Sequence, residues 1–198
     1  CYLDMTRRVR ADKVYVELDM LADRKGTVDN VASYVGLRVT ERDQFRATGP
    51  DGIWLAFHDN KIGLITGWPG TKMYVSEFSF ASMRHVLIED DTVNNVITVY
   101  IKEGGESQLV CRFVIQNEHD VKVYDNKGNQ KITHTLGHDL NRDGFICFWA
   151  PAGNMGKSAF DNIEIRWDEK VRAEYTPTDP ETLQDLYSDT WVGMDDEN

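Results

Sequence analysis

Between residues 14 and 167 apolar residues recur at every second position in run after run, and helical periodicity is nearly absent. Successive side chains of a strand point to opposite faces, so such runs suit strands half-buried against a core. In VYVELDM (residues 14–20), Val14, Val16, Leu18 and Met20 share one face, with Tyr15, Glu17 and Asp19 on the other. In NVASYVGLRVT (30–40), Val31, Ser33, Val35, Leu37 and Val39 oppose Ala32, Tyr34, Gly36, Arg38 and Thr40. GIWLAFHD (52–59) places Ile53, Leu55 and Phe57 inward and Trp54, Ala56 and His58 outward. Turn chemistry punctuates the runs: GPDG at 49–52, DN at 59–60, GWPG at 67–70, GG at 104–105, DNKGN at 125–129 and NRDG at 141–144. These residues tolerate positive φ or preset a turn. Short strands with hairpin signals predict an all-β chain, an antiparallel two-sheet jelly-roll sandwich.

After Trp167 the texture changes to a polar, acid-rich stretch. Asp179 suits a helix cap and Pro180 a first helical position, which predicts a short helix over 180–187. The expected organisation is a jelly roll over 1–170 and an acidic linker or tail over 171–198, leading to another domain.

Charge narrows the partners. With 22 basic against 33 acidic residues, net −11, the chain has little to offer nucleic acid or an anionic membrane. No apolar run approaches the ~18 residues of a membrane span, and the reading includes neither membrane insertion nor a signal peptide. Cys111 and Cys147 lie in apolar runs and read either as buried thiols or as a disulfide pair. His134 and His138 lack the glutamate and helix of a metalloprotease motif. The stretch DLNRDG (139–144) matches half of a calcium loop, but Ala150 stands where that loop needs its bidentate acid.

The order VELDM, VGLRV, HVLIEDD then NVITVYI, GFICFWAPAG and SAFDNIEIRW resembles the concanavalin A-like lectin/glucanase superfamily, nearest its laminin-G-like and secreted bacterial sugar-binding or sugar-hydrolase modules. The resemblance spans about residues 5–167, and its most specific piece is 144–167. It implies a secreted or cell-envelope location in a bacterium and a module of a larger polysaccharide-utilisation protein, with a glycan or an adjacent catalytic domain as partner. It also implies a structural calcium ion near Asp161 and Asp4. Laminarinase-type members carry a strand of the form Glu-x-Asp-x-x-Glu, whose carboxyls must lie about 5–5.5 Å apart. Here Glu17 and Asp19 match, but Leu21 and Ala22 stand where the acid belongs and Asp23 is displaced by one residue. No catalytic residue is therefore assigned.

The expected activity is noncovalent carbohydrate binding, since sugars are held by aromatic platforms and planar polar partners. The expected ligand set is Tyr15, Glu17, Asp19, Tyr34, Arg38, Trp54 and His58 on outward strand faces, with Trp68 on a loop. The alternatives are a ligand-free scaffold orienting a neighbouring domain and, disfavoured for want of the acid, a laminarinase-like hydrolase.

Overall fold

In this computed structural model the described residues are 2–4, 9–24, 32–40, 51–66, 70–150 and 156–168. Among them there is no helix, and the strands run β1 (Tyr2–Asp4), β2 (Val9–Arg10), β3 (Lys13–Arg24), β4 (Ser33–Val39), β5 (Ile53–His58), β6 (Lys61–Ile65) and β7 (Thr71–Val75). They continue with β8 (Arg84–Asp91), β9 (Val96–Glu103), β10 (Glu106–Gln116), β11 (Asp120–Asp125), β12 (Gln130–Thr135), β13 (Asp143–Trp149) and β14 (Gly156–Trp167). Sheet A has the order β1-β13-β4-β5-β6-β7, with β2 also on β13, and sheet B the order β12-β11-β10-β9-β8-β3-β14. The chain visits B with β3, A with β4 to β7, B with β8 to β12, then A with β13 and B with β14. That is an antiparallel jelly-roll sandwich. The expected linker over 171–198 and helix over 180–187 lie outside the described residues.

Alternation works as the sequence implies on the inner faces. Val16, Leu18 and Met20 of β3, with Val86 and Ile88 of β8, meet Val35 and Leu37 of β4 and Leu55 and Phe57 of β5 in one buried cluster. Phe57 packs edge-on against Phe80, with ring centroids 5.1 Å apart. Each such side chain contributes about 1.5–3 kcal/mol by leaving water. Cys111 sits in this core and Cys147 on the far side of sheet A, both as free buried thiols. The disulfide alternative is thereby settled against.

Two expectations fail on sheet A. Tyr34, Trp54 and His58 do point away from the main core, yet all three are buried, Trp54 to 2% exposure. A second apolar cluster unites Tyr34, Trp54, Ala56, Ile65 and Cys147, with Trp149 and Met73 packed against it. Tyr34 stacks on Trp149 at 4.9 Å. A Cβ on Gly36 would come within 2.8 Å of the Trp54 ring, so the missing side chain is the slot the indole fills. Its Nε1 donates to the Asp51 carbonyl oxygen at 2.8 Å.

Arg38 departs from alternation altogether. The register from Phe145↔Val39 to Cys147↔Gly36 gives β4 one residue more than β13, a bulge, and Arg38 takes φ 55° there. Gly144 and Gly52 seat the bulge: a Cβ on Gly144 would lie 2.4 Å from the Arg38 carbonyl carbon, and one on Gly52 2.6 Å from the Leu37 oxygen. Arg38 turns inward between the sheets. Its Nε and Nη2 donate to the two Asp90 carboxylate oxygens at 3.0 and 2.6 Å, and its Nη1 donates to Asn95 Oδ1 at 3.0 Å. Both side chains of the pair are almost fully buried. The expected outward Arg38 is instead a cross-sheet tie.

Candidate functional site on the outer face of sheet B

The outer face of β3 carries Tyr15, Glu17 and Asp19, as alternation requires once Val16 and Leu18 enter the core. Antiparallel register decides what stands beside them. Asp19 lies opposite His85 of β8 and Asp161 of β14; Glu17 lies opposite Leu87 and Glu164; Tyr15 lies opposite Glu89 and Arg166. On β14 a bulge between Asp161 and Glu164 puts Asn162 at φ 48°. Its Nδ2 donates to Asp19 Oδ2 at 2.6 Å, while Asp161 Oδ1 accepts the Asn162 backbone N–H.

His85 is the centre of the arrangement. Its Nδ1 is 2.7 Å from Asp19 Oδ1 and its Nε2 is 2.8 Å from Glu17 Oε1. A carboxylate only accepts, so donation from both nitrogens requires the protonated ring, an imidazolium. Glu17 also accepts from Lys102 of β9 on Oε1 and from Arg166 on Oε2, the latter at 2.6 Å. The Arg166 guanidinium carbon stands 6.0 Å from the Tyr15 ring centroid, near enough for a cation–π contribution. Two carboxylates thus meet three cations on an open surface: the His85 side chain is 38% exposed and that of Glu17 12%.

The charges move one another's titrations. Hydrogen bonds to Asp19 first, then to Glu17, raise the His85 pKa above its ordinary value. The Lys102 hydrogen bond lowers that of Glu17 against an opposing burial effect, with His85 and Arg166 adding to it. The Asn162 amide, then His85, lowers that of Asp19. A raised folded pKa means His85 contributes stability fully below about 6.5 and loses it as pH rises through the folded value. The lowered carboxyls contribute above their ordinary pKa and lose that as pH falls through their folded values. The network is therefore strongest between those limits. A ring-proton NMR titration should give His85 a pKa above about 6.5, and Glu17→Gln should bring it down; an ordinary His85 titration in the wild type would refute the bridge.

No protein-family model matches the chain, and no curated protein does. Solved structures do resemble it. Carbohydrate-binding module CBM66 from Bacillus subtilis matches at 10% identity and TM-score 0.28, over 83% of this chain and 80% of that one. A sialidase matches at 10% identity and TM-score 0.35, over 82% of this chain but 14% of its own. Sheep galectin-11 matches at 7% identity and TM-score 0.26, over 81% and 95%.

Of the expected ligand set, the structure gathers Tyr15, Glu17 and Asp19 on one open face. Tyr34, Arg38, Trp54 and His58 belong to sheet A and are buried, so none of them shares that face. Trp68 lies outside the described residues. For the expected calcium, Asp161 is in sheet B and the Asp4 backbone in sheet A, opposite Cys147, and the Asp4 side chain lies outside what is described. Among the described residues no group of three or more His, Cys, Asp or Glu side chains is placed to hold a metal ion.

His85, Lys102, Asn162 and Arg166 were not foreseen from sequence. Alternation in RHVLIEDD could have put His85 on an outer face, but only the pairing of β3 with β8, 66 residues away, brings it to Asp19.

Proposed function

We propose that the chain is a noncovalent glycan-binding module whose ligand lies across β14, β3, β8 and β9 of sheet B. The observation that carries this reading is the His85-bridged pair of carboxylates, held open on that face beside Tyr15 and Arg166. Sugar hydroxyls both donate and accept, and the patch offers both: carboxylate acceptors, and ammonium, guanidinium, imidazolium and amide donors. Charge-assisted bonds are stronger than neutral ones, and mutually fixed side chains lose little further freedom on binding. Half-exposed Tyr15 and Tyr100 add ring faces against which the C–H side of a sugar can pack.

Binding without cleavage fits the electrostatics. The Glu17 and Asp19 pKa values are lowered, so neither holds a proton near neutral pH to give to a leaving oxygen. The same reading makes the chain a module of a secreted or cell-envelope carbohydrate-active protein. Titration against a panel of neutral oligosaccharides tests it. Glu17→Gln and Asp19→Asn should each weaken the best ligand by at least about tenfold, ~1.4 kcal/mol, with the fold intact by circular dichroism. Unchanged affinity in both variants would remove this face as the site.

A further inference from the structure

On the open side of the sandwich, β7 is the edge strand of sheet A and β12 that of sheet B. Between them lies a cleft of about 510 Å³, within the range of small-ligand sites. Lys61, Lys72 and Lys131 line it, with Thr71, Thr133 and Val75. None of its described lining residues is acidic, in a chain whose net charge is −11. Lys72 Nζ donates to the Thr133 carbonyl oxygen at 3.2 Å, which fixes the ammonium across the gap between the sheets and leaves it further donors. Lys131 is paired with Asp125 at 3.2 Å, whereas Lys61 and Lys72 make no ion pair among the described residues. The local field is felt nearby: burial, then the Lys72 charge, lowers the His134 pKa. Val75 and Lys131 are shared with an adjoining hollow of about 200 Å³ whose lining includes Glu77 and Asp125, so the basic lining is confined to the larger cleft.

We infer that this cleft binds an oxyanion, a carboxylate or a sulfate ester, carried on an oligosaccharide chain. Two unneutralised ammonium groups and two hydroxyls supply the donors an oxyanion needs, and exposed Val75 supplies apolar contact for a sugar ring. That the anion is carried by a sugar rests on the glycan-binding reading; the oxyanion site itself does not.

The full chain is titrated with an oligogalacturonate, a sulfated oligosaccharide, a neutral oligosaccharide and inorganic sulfate, at low and at physiological ionic strength. An acidic oligosaccharide should bind at least about tenfold tighter than the neutral one, and less tightly as salt screens the lysines. Lys61→Gln/Lys72→Gln should abolish that preference, and Lys61→Arg/Lys72→Arg should keep it. Competition by inorganic sulfate assigns the sulfate ester; binding of oligogalacturonate without such competition assigns the carboxylate. Equal affinity for acidic and neutral chains, or wild-type binding of acidic chains by Lys61→Gln/Lys72→Gln, would overturn the inference. Neutral glycan affinity is read in the same variants: its loss in Glu17→Gln and retention in Lys61→Gln/Lys72→Gln reports on the sheet face alone.

Discussion

Arg38→Met should destabilise the protein by about 3–5 kcal/mol, a fall of roughly 6–20 °C in Tm. Removing the guanidinium leaves Asp90 buried between the sheets with both carboxylate oxygens stripped of their bidentate partner. A domain is stable by only about 5–15 kcal/mol, so this is a large share of the whole. Methionine meets the same penalty as arginine at φ 55°, which keeps the backbone contribution out of the comparison. Asp90→Leu should act in the same direction by stranding the guanidinium. Arg38→Met combined with Asp90→Leu should recover most of the loss, since an apolar pair of similar volume replaces a buried ion pair at little cost. Chemical denaturation of the four proteins gives the coupling directly. A loss below about 1 kcal/mol in Arg38→Met would mean that the pair is solvated and the cross-sheet tie incorrect.

Trp54→Ala should cost about 3–5 kcal/mol through the cavity it opens beneath Tyr34 and Trp149, while leaving glycan affinity of the folded protein unchanged. The indole is 2% exposed, its N–H is bonded to the Asp51 carbonyl, and Gly36 leaves no side chain to collapse into the space. The reading from sequence alone placed Trp54 outward in the ligand set, where its loss would remove the ligand. Thermal unfolding and titration on the same sample separate the two. Weakened binding with unchanged Tm would restore Trp54 as a ligand residue.

These two residues show where sequence stops. Alternation in VYVELDM and GIWLAFHD gave the inner faces of β3 and β5 correctly, because a period of two follows from strand geometry alone. It says which way Trp54 points but not whether that side meets water, and here sheet A is packed on both faces. Arg38 was misplaced for another reason: one extra residue in β4 reverses the phase, and the glycines that seat the bulge, Gly52 and Gly144, are distant in the chain. Glu17 and Asp19 were legible as a paired acidic face. Their meaning was not, since three cations and an amide from β8, β9 and β14 convert that face from acidic to balanced. Register across strands set far apart in the chain is a tertiary property that local pattern does not encode.

The measurement that bears most directly on the central claim is amide chemical-shift mapping of the labelled chain, saturated with the tightest glycan from the panel. The outer face of sheet B predicts shifts clustered at Tyr15, Glu17 and Asp19, at His85 and Leu87, at Tyr100 and Lys102, and at Asn162 and Arg166. Shifts confined to sheet A, or no shift with any glycan at millimolar concentration, would contradict it.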